Sequence, residues 1–403
     1  MKAIAEPRTQ TFFSRIPGSA GLLFLAMLPT TMLVPLQTEI MREQFGTPRQ
    51  MALFTSIAML GMVLLSPIAG YFSDRFRARR VFVIVFSIIN ACTFPLIAWA
   101  PTLPWLLLAR FLEGASAAFV IGTLMACAED RERANPQGKR GLAMGISGMM
   151  LGLGAAIGMP IGGLIGRDDW RVATIAAAGL MVVVAVLAIL LRDQIAKRER
   201  ENFASILTIL KHPIALIPLT FAFVDRFVAG FLVGPFTWRL REDFALDSAQ
   251  AGRMLAYVML PMVLGAIPAA MAARKIGGVR LVLIGSIFYG MFIGISGSLN
   301  STDLMRITLL LAGIGAGFLY SPSMVLAGRL APDGLTATSM SLYVGIGSLG
   351  FLLGPLVGVE IRHLLDYSLV SNQFPTLAWI MGCISLLPLL LLARFWRAIR
   401  NQE

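Results

Sequence analysis

Charge is scarce in this sequence. Only 14% of its 403 residues are charged and 57% are hydrophobic, whereas a soluble domain carries about 25% charged residues. Cysteine is also scarce. Cys92, Cys127 and Cys383 are odd in number, scattered and inside apolar runs, which argues against a disulfide framework and against a metal site. The two histidines, His212 and His363, stand at the edges of apolar runs. There is no Gly-rich phosphate loop, no His/Glu pair at metal-ligand spacing and no intact nucleophile elbow. These absences exclude an ATP-driven pump and leave no enzyme site, so no cofactor and no metal is expected. A net charge of +12 would suit nucleic acid. The basic residues, however, sit in short gaps between apolar runs and form no continuous face, so no nucleic-acid partner is expected.

Long apolar runs fill the rest. Runs of about 20 residues, each able to cross a bilayer, recur at 19–40, 51–72, 81–100, 103–128, 141–166, 171–192, 213–238, 252–272, 280–299, 304–327, 337–359 and 373–395. Pro29, Pro35, Pro160, Pro235 and Pro355 fall inside them and read as kinks, because packed neighbours re-satisfy the freed carbonyls. The first run is too long for a signal-peptide core and no small-residue cleavage site follows, so it is expected to be retained. The predicted fold is an all-α membrane protein of twelve transmembrane helices in two pseudo-symmetric six-helix bundles. Its parts would be a tail over 1–18, bundles over 19–192 and 213–395, a linker over 193–212 and a tail over 396–403.

Orientation follows from one loop. Gly70-Tyr-Phe-Ser-Asp74-Arg75-Phe-Arg77-Ala-Arg79-Arg80 joins the second and third runs with four arginines and one acid. Short basic loops stay cytoplasmic. With this loop inside, both termini are inside, and about 23 of the 34 Lys/Arg fall on the inner side against about nine outside. Trp99, Trp105, Trp170 and Trp238 then mark outer edges and Trp396 an inner one. The linker opens with Lys197-Arg198-Glu199-Arg200-Glu201. It continues with Phe203, Ile206, Leu207 and Leu210 at helical spacing, which predicts a short helix on the inner surface.

The two halves echo each other. Gly154-x3-Gly158 and Gly162 recur as Gly350-x3-Gly354 and Gly358, and Pro35 recurs as Pro235. The basic loop has a degenerate echo at 269–280, with Arg274 and Lys275 but Ala273 in place of the acid. A repeat of this size is the mark of a carrier built from two bundles around a central site.

The residues resemble a known family. Gly70-x3-Asp74-Arg75-x3-Arg79-Arg80 is similar to the loop signature of the major facilitator superfamily, and the resemblance covers nearly the whole chain. It implies that Gly70 lets two helices approach and that Asp74 faces the inner N-terminus of the eleventh span, near 337–339, where the helix dipole favours an anion. It also implies that Arg75, Arg79 and Arg80 pair with Glu129 or Asp130, latching the outward-facing state. The loop alternatively does no more than set topology. Arg110-x2-Glu113-Gly114 in span four is similar to the family's Arg-x-x-Gln-Gly motif, with Glu113 replacing glutamine. Three residues apart, Arg110 and Glu113 share a face. A lone arginine in hydrocarbon costs several kcal/mol, so it must face a partner or water. Glu113 is then either that static partner or a titrating group.

Gly145-x8-Gly154-x3-Gly158-x-Pro160-x-Gly162-Gly163 in span five resembles the motif of twelve-span drug:proton antiporters, with the proline displaced by one. Its small-residue face would let the backbone approach the opposite half; ordinary packing is the alternative. Span seven carries Asp225-Arg226 near mid-bilayer. Adjacent helical residues diverge by roughly 100°, so the two cannot serve one face equally. By resemblance, spans one, four, seven and ten line a central cavity. Asp225 or Glu113 would carry the proton and Arg110 or Arg226 would tune it, a fixed ion-pair network being the other reading. Thr30, Thr31, Gln37, Tyr320, Ser321 and Tyr343 are further candidate lining groups. Span one lacks the mid-membrane acid of some relatives.

The expected function is secondary active transport across a bacterial-type inner membrane: proton-coupled efflux of a small apolar or cationic compound by alternating access. The partners would be that substrate, protons and the lipid bilayer, and the expected state is a monomer. Proton-coupled uptake of an organic anion or sugar is the first alternative, since Arg110 and Arg226 suit an anion. A lipid-flipping protein or a non-transporting sensor is another.

Overall fold

The computed structural model describes residues 18–44, 46–76, 78–134, 142–191, 203–332, 335–367 and 373–400. All regular structure among them is helical. The first bundle holds α1 (Gly18–Glu43), α2 (Pro48–Phe76), α3 (Arg79–Ala98), α4 (Leu103–Ala134), α5 (Leu142–Ile165) and α6 (Trp170–Ala188). The second holds α7 (Pro213–Glu242), α8 (Ser248–Leu264, continued as Ala266–Ile276), α9 (Gly278–Ser298), α10 (Thr302–Arg329), α11 (Thr336–Tyr367) and α12 (Gln373–Ile384 and Leu387–Arg400).

Eleven of these are long and apolar enough to cross a membrane. The exception is α8, which breaks at Gly265. Pro268 has no N–H to give the Leu264 carbonyl, and a missing bond of this kind bends a helix. The expected eighth span is therefore two pieces that meet at Gly265. Pro35 and Pro235 also act as matched deformations. The first sits in a 3-10 turn, Val34–Leu36, and the second in a widened π turn, Leu232–Phe236.

Each half builds its own core. Phe54, Phe94, Leu106 and Trp170 are buried in the first, and Phe231, Phe236, Tyr289 and Leu309 in the second. Glycines set the tightest approaches. A Cβ on Gly158 would lie 2.6 Å from the Leu28 carbonyl, and one on Gly162 would lie 2.1 Å from that of Met32. On α11, Gly350 and Gly354 press on the Phe223 and Phe227 carbonyls of α7 in the same way. The stripe on α5 thus packs against α1 of its own half, and α11 repeats this against α7.

This corrects the expected interdomain role of Gly154, Gly158 and Gly162. Spacing puts the glycines on one face, but the bundle decides which neighbour that face meets. Cross-half contact falls to the next residues around the helix: Gly163 abuts Ser248, and Met159 and Pro160 abut Gly252.

The halves meet along α5 with α8 and along α2 with α11. In the linker, Phe203–Lys211 is helical as expected. Its docked residue, however, is Ile209, buried with Ala215, Leu219 and Tyr343 of the second bundle. Leu207 and Leu210, expected to face the membrane surface, are 43% and 40% exposed. The side chains of Phe203 and Ile206 lie outside the described set.

Candidate functional site: mid-membrane charges and a sealed seam

Close contact of α2 and α4 places the first charge pair. A Cβ on Gly114 would strike the Ala58 carbonyl at 1.9 Å, and one on Gly61 the Phe111 carbonyl at 2.3 Å. That approach lays the Arg110 guanidinium over the Phe54 ring, 4.8 Å from its centroid. Arg110 Nη1 pairs with Glu113 Oε2 at 2.8 Å, and the two side chains are only 3% and 0% exposed. Asn90 of α3 closes the far side, donating to the Glu113 carbonyl and to Ser116 Oγ at 2.8 Å each. Glu113 Oε1 and Arg110 Nε are buried without a hydrogen-bond partner. Helical spacing predicted the pairing. Of the two expected surroundings, a partner or water, Arg110 meets the partner in this conformation.

The second pair divides as its 100° offset requires. Asp225 is buried. Arg226 keeps some exposure, donates to the Val344 carbonyl at 3.2 Å and lies 5.7 Å from the Tyr320 ring centroid. Tyr343 shares a 2.8 Å bond with Ser323 and donates to the Tyr320 carbonyl at 3.3 Å. Arg226, Tyr320 and Tyr343 therefore form one cluster, with Ser321 half-buried on the same helix as Tyr320.

Other expected lining residues are elsewhere. Thr30 is buried with a partnerless hydroxyl. Thr31 bonds back to the Met27 and Leu28 carbonyls, both at 3.2 Å, against Gly158. Gln37 lies in the seam: it accepts from Thr55 at 2.5 Å and donates across to the Val233 carbonyl in the widened turn of α7. Of the basic loop, Arg79 pairs with Asp130 at 3.1 Å, with side chains 3% and 8% exposed. Arg80 is half-buried. The surroundings of Gly70 and the side chains of Asp74, Arg75 and Glu129 lie outside the description.

Among the described residues, four ion pairs cross between the halves at the end opposite this loop. Arg42 meets Glu242 at 2.5 Å, Arg49 meets Glu360 at 2.7 Å, Arg167 meets Asp247 at 3.0 Å, and Glu39 meets Arg241. Ser248 adds a 2.9 Å bond to the Gly163 carbonyl. Sequence reasoning missed this seal, because its charges read only as loop charges. Their one visible signal was acids and bases mixed at the ends of α1, α5, α7 and α11. Further along α5, toward the loop end, Gly152 still touches Val263 of α8. A Cβ on Gly148 or Gly145 would meet nothing within 4 Å.

Two duplicated helical bundles, sealed together at one end and each holding a buried mid-membrane ion pair or charge cluster, define a polytopic transporter of the two-bundle kind. The family model described as Major Facilitator Superfamily matches residues 20–239 and again 219–403, once for each half, and the chain belongs to this family. A multidrug resistance efflux pump PmrA homologue of Lactococcus lactis subsp. lactis (strain IL1403) is 24% identical over 321 residues, 77% of this chain and 78% of that protein. Among solved structures, a bacterial homologue of the human lysosomal transporter Spinster, inward-facing and unoccupied, superposes with a TM-score of 0.74 at 14% identity. The match covers 95% of this chain and 96% of that one. The nucleoside transporter NupG also reaches 0.74, at 13% identity, over 94% and 98%. Likenesses this distant show the fold and leave the substrate to the site.

Proposed function

We propose that this transporter exports a small apolar or cationic compound in exchange for protons, by alternating access, from a cell inner (plasma) membrane with both termini cytoplasmic. The observation that carries this reading is the one-ended seal. Four ion pairs among the described residues bridge the halves at the end away from the basic loop. In the proposed orientation that end is the outer one, so the conformation is closed outside. The names of relatives such as the PmrA homologue favour efflux. Asp225 or Glu113 carries the proton, with Arg226 or Arg110 beside it. Arg79–Asp130 belongs to the inner latch, completed by Gly70, Asp74, Arg75 and Arg80 when the halves close on that side. Sealing Glu113 from water in one conformation is what a proton carrier needs, because a site open to both sides would leak.

Proton flux in proteoliposomes under an imposed pH gradient, with a compound panel, tests this. Compound-triggered proton efflux supports exchange. Asp225→Asn is expected to express normally and lose pH-driven exchange, and unchanged coupling removes Asp225 from the role. One observation favours a second reading, uptake of an organic anion or sugar with protons. Of the four mid-membrane charges, Arg226 alone is more than marginally exposed, and a guanidinium suits an anion. Proton co-entry with substrate would select that reading.

A further inference from the structure

An apolar slot of about 370 Å³ opens on the outside of the second bundle, between α7, α11 and α12. Leu216, Leu219, Phe223 and Val224 form one wall, Ile346 the back, and Leu387 and Leu391 the other wall. The slot has a structural cause. At Pro388 no N–H is available for the Ile384 carbonyl, and α12 breaks between Ile384 and Leu387. The one hydroxyl in the slot, Thr220, already bonds to the Ile217 carbonyl at 2.7 Å, so nothing polar inside awaits a ligand. Leu387 and Leu391 are 53% and 40% exposed and one turn apart, so they present a continuous apolar edge to the surrounding membrane.

Basic residues stand close in sequence to the slot's walls at the linker-side ends of α7 and α12. Lys211 and His212 are exposed at the start of α7, five and four residues from Leu216. Arg394 is exposed one turn beyond Leu391. Arg397 and Arg400 follow in the sequence. This arrangement matches a phospholipid end to end: an acyl chain for the slot and an anionic phosphate for the rim. We propose that the α7–α11–α12 slot is a binding site for an anionic phospholipid of the leaflet on the linker side. Lys211 and Arg394 hold the headgroup, and Leu387 and Leu391 flank the chain. The site is separate from the mid-membrane charges and does not depend on the transport reading above.

Native mass spectrometry of the detergent-purified full chain tests the proposal, titrated with dioleoylphosphatidylglycerol and, separately, dioleoylphosphatidylcholine. Each basic side chain beside a lipid phosphate contributes about a fivefold gain. The first phosphatidylglycerol adduct should therefore form at least tenfold more readily than the phosphatidylcholine one. Lys211→Gln with Arg394→Gln should cut the phosphatidylglycerol affinity about 25-fold, to that of phosphatidylcholine. Leu387→Trp, at an exposed position, should weaken both lipids alike by obstructing the slot. Equal affinity for the two lipids in the native chain overturns the proposal. So does an unchanged preference in the Lys211/Arg394 variant. Free inorganic phosphate competing away the lipid would assign the rim to a soluble anion and also overturn it.

Discussion

Glu39→Gln should loosen the sealed end more than the loss of any other cross-half pair. The four pairs are not equal. Arg42–Glu242, Arg49–Glu360 and Arg167–Asp247 are surface contacts, their arginines 56%, 60% and 58% exposed. Exposed pairs contribute about 0–1 kcal/mol each. Glu39–Arg241 is different: the side chains are 23% and 11% exposed, and Arg241 also donates to the Leu246 carbonyl. Breaking a fully buried pair costs about 3–5 kcal/mol. Residual exposure lowers that to about 2 kcal/mol here, a shift of about thirty-fold toward the conformation open at this end. The assay is double electron–electron resonance in nanodiscs, with spin labels at Thr47→Cys and Leu364→Cys and the three native cysteines replaced. Glu39→Gln should populate a longer distance than the parent. Arg49→Ala with Glu360→Ala should move the populations less than about fivefold. If the two variants shift the distances equally, or Glu39→Gln not at all, burial does not rank these contacts and the reasoning fails.

Other outcomes follow from the same structure. Gly162→Ala should lower the melting temperature of the purified protein, because its Cβ would sit 2.1 Å from the Met32 carbonyl. Overpacking of this kind costs about 1–3 kcal/mol. Gly148→Ala, with nothing within 4 Å, should leave the melting temperature unchanged or slightly raised. Asp130→Asn removes the buried Arg79–Asp130 ion pair and should lower the melting temperature. Asp130→Leu with Arg79→Leu should recover much of that in the same thermal assay. Ser323→Ala removes the Tyr343 bond and should cost about 1 kcal/mol. Paired with Tyr343→Phe in a double-mutant cycle, it should show coupling of that size.

The sequence by itself determined the element count and the duplication. The count rests on a local property: twenty apolar residues span a bilayer wherever they occur. The Arg110–Glu113 pair was legible because three-residue spacing fixes a common face within one helix. Arg79–Asp130 was legible through its resemblance to a family motif. Only the tertiary structure decided the rest. Which helix receives the Gly154–Gly158–Gly162 face, that Ile209 docks the linker on the second bundle, and that Gln37 ties α1 to α7 are outcomes of packing. The seal between Glu39 and Arg241 joins residues some 200 positions apart. Periodicity reports the direction in which a side chain leaves its own helix and carries no information about what stands there. That depends on how two independently formed bundles come to rest against each other.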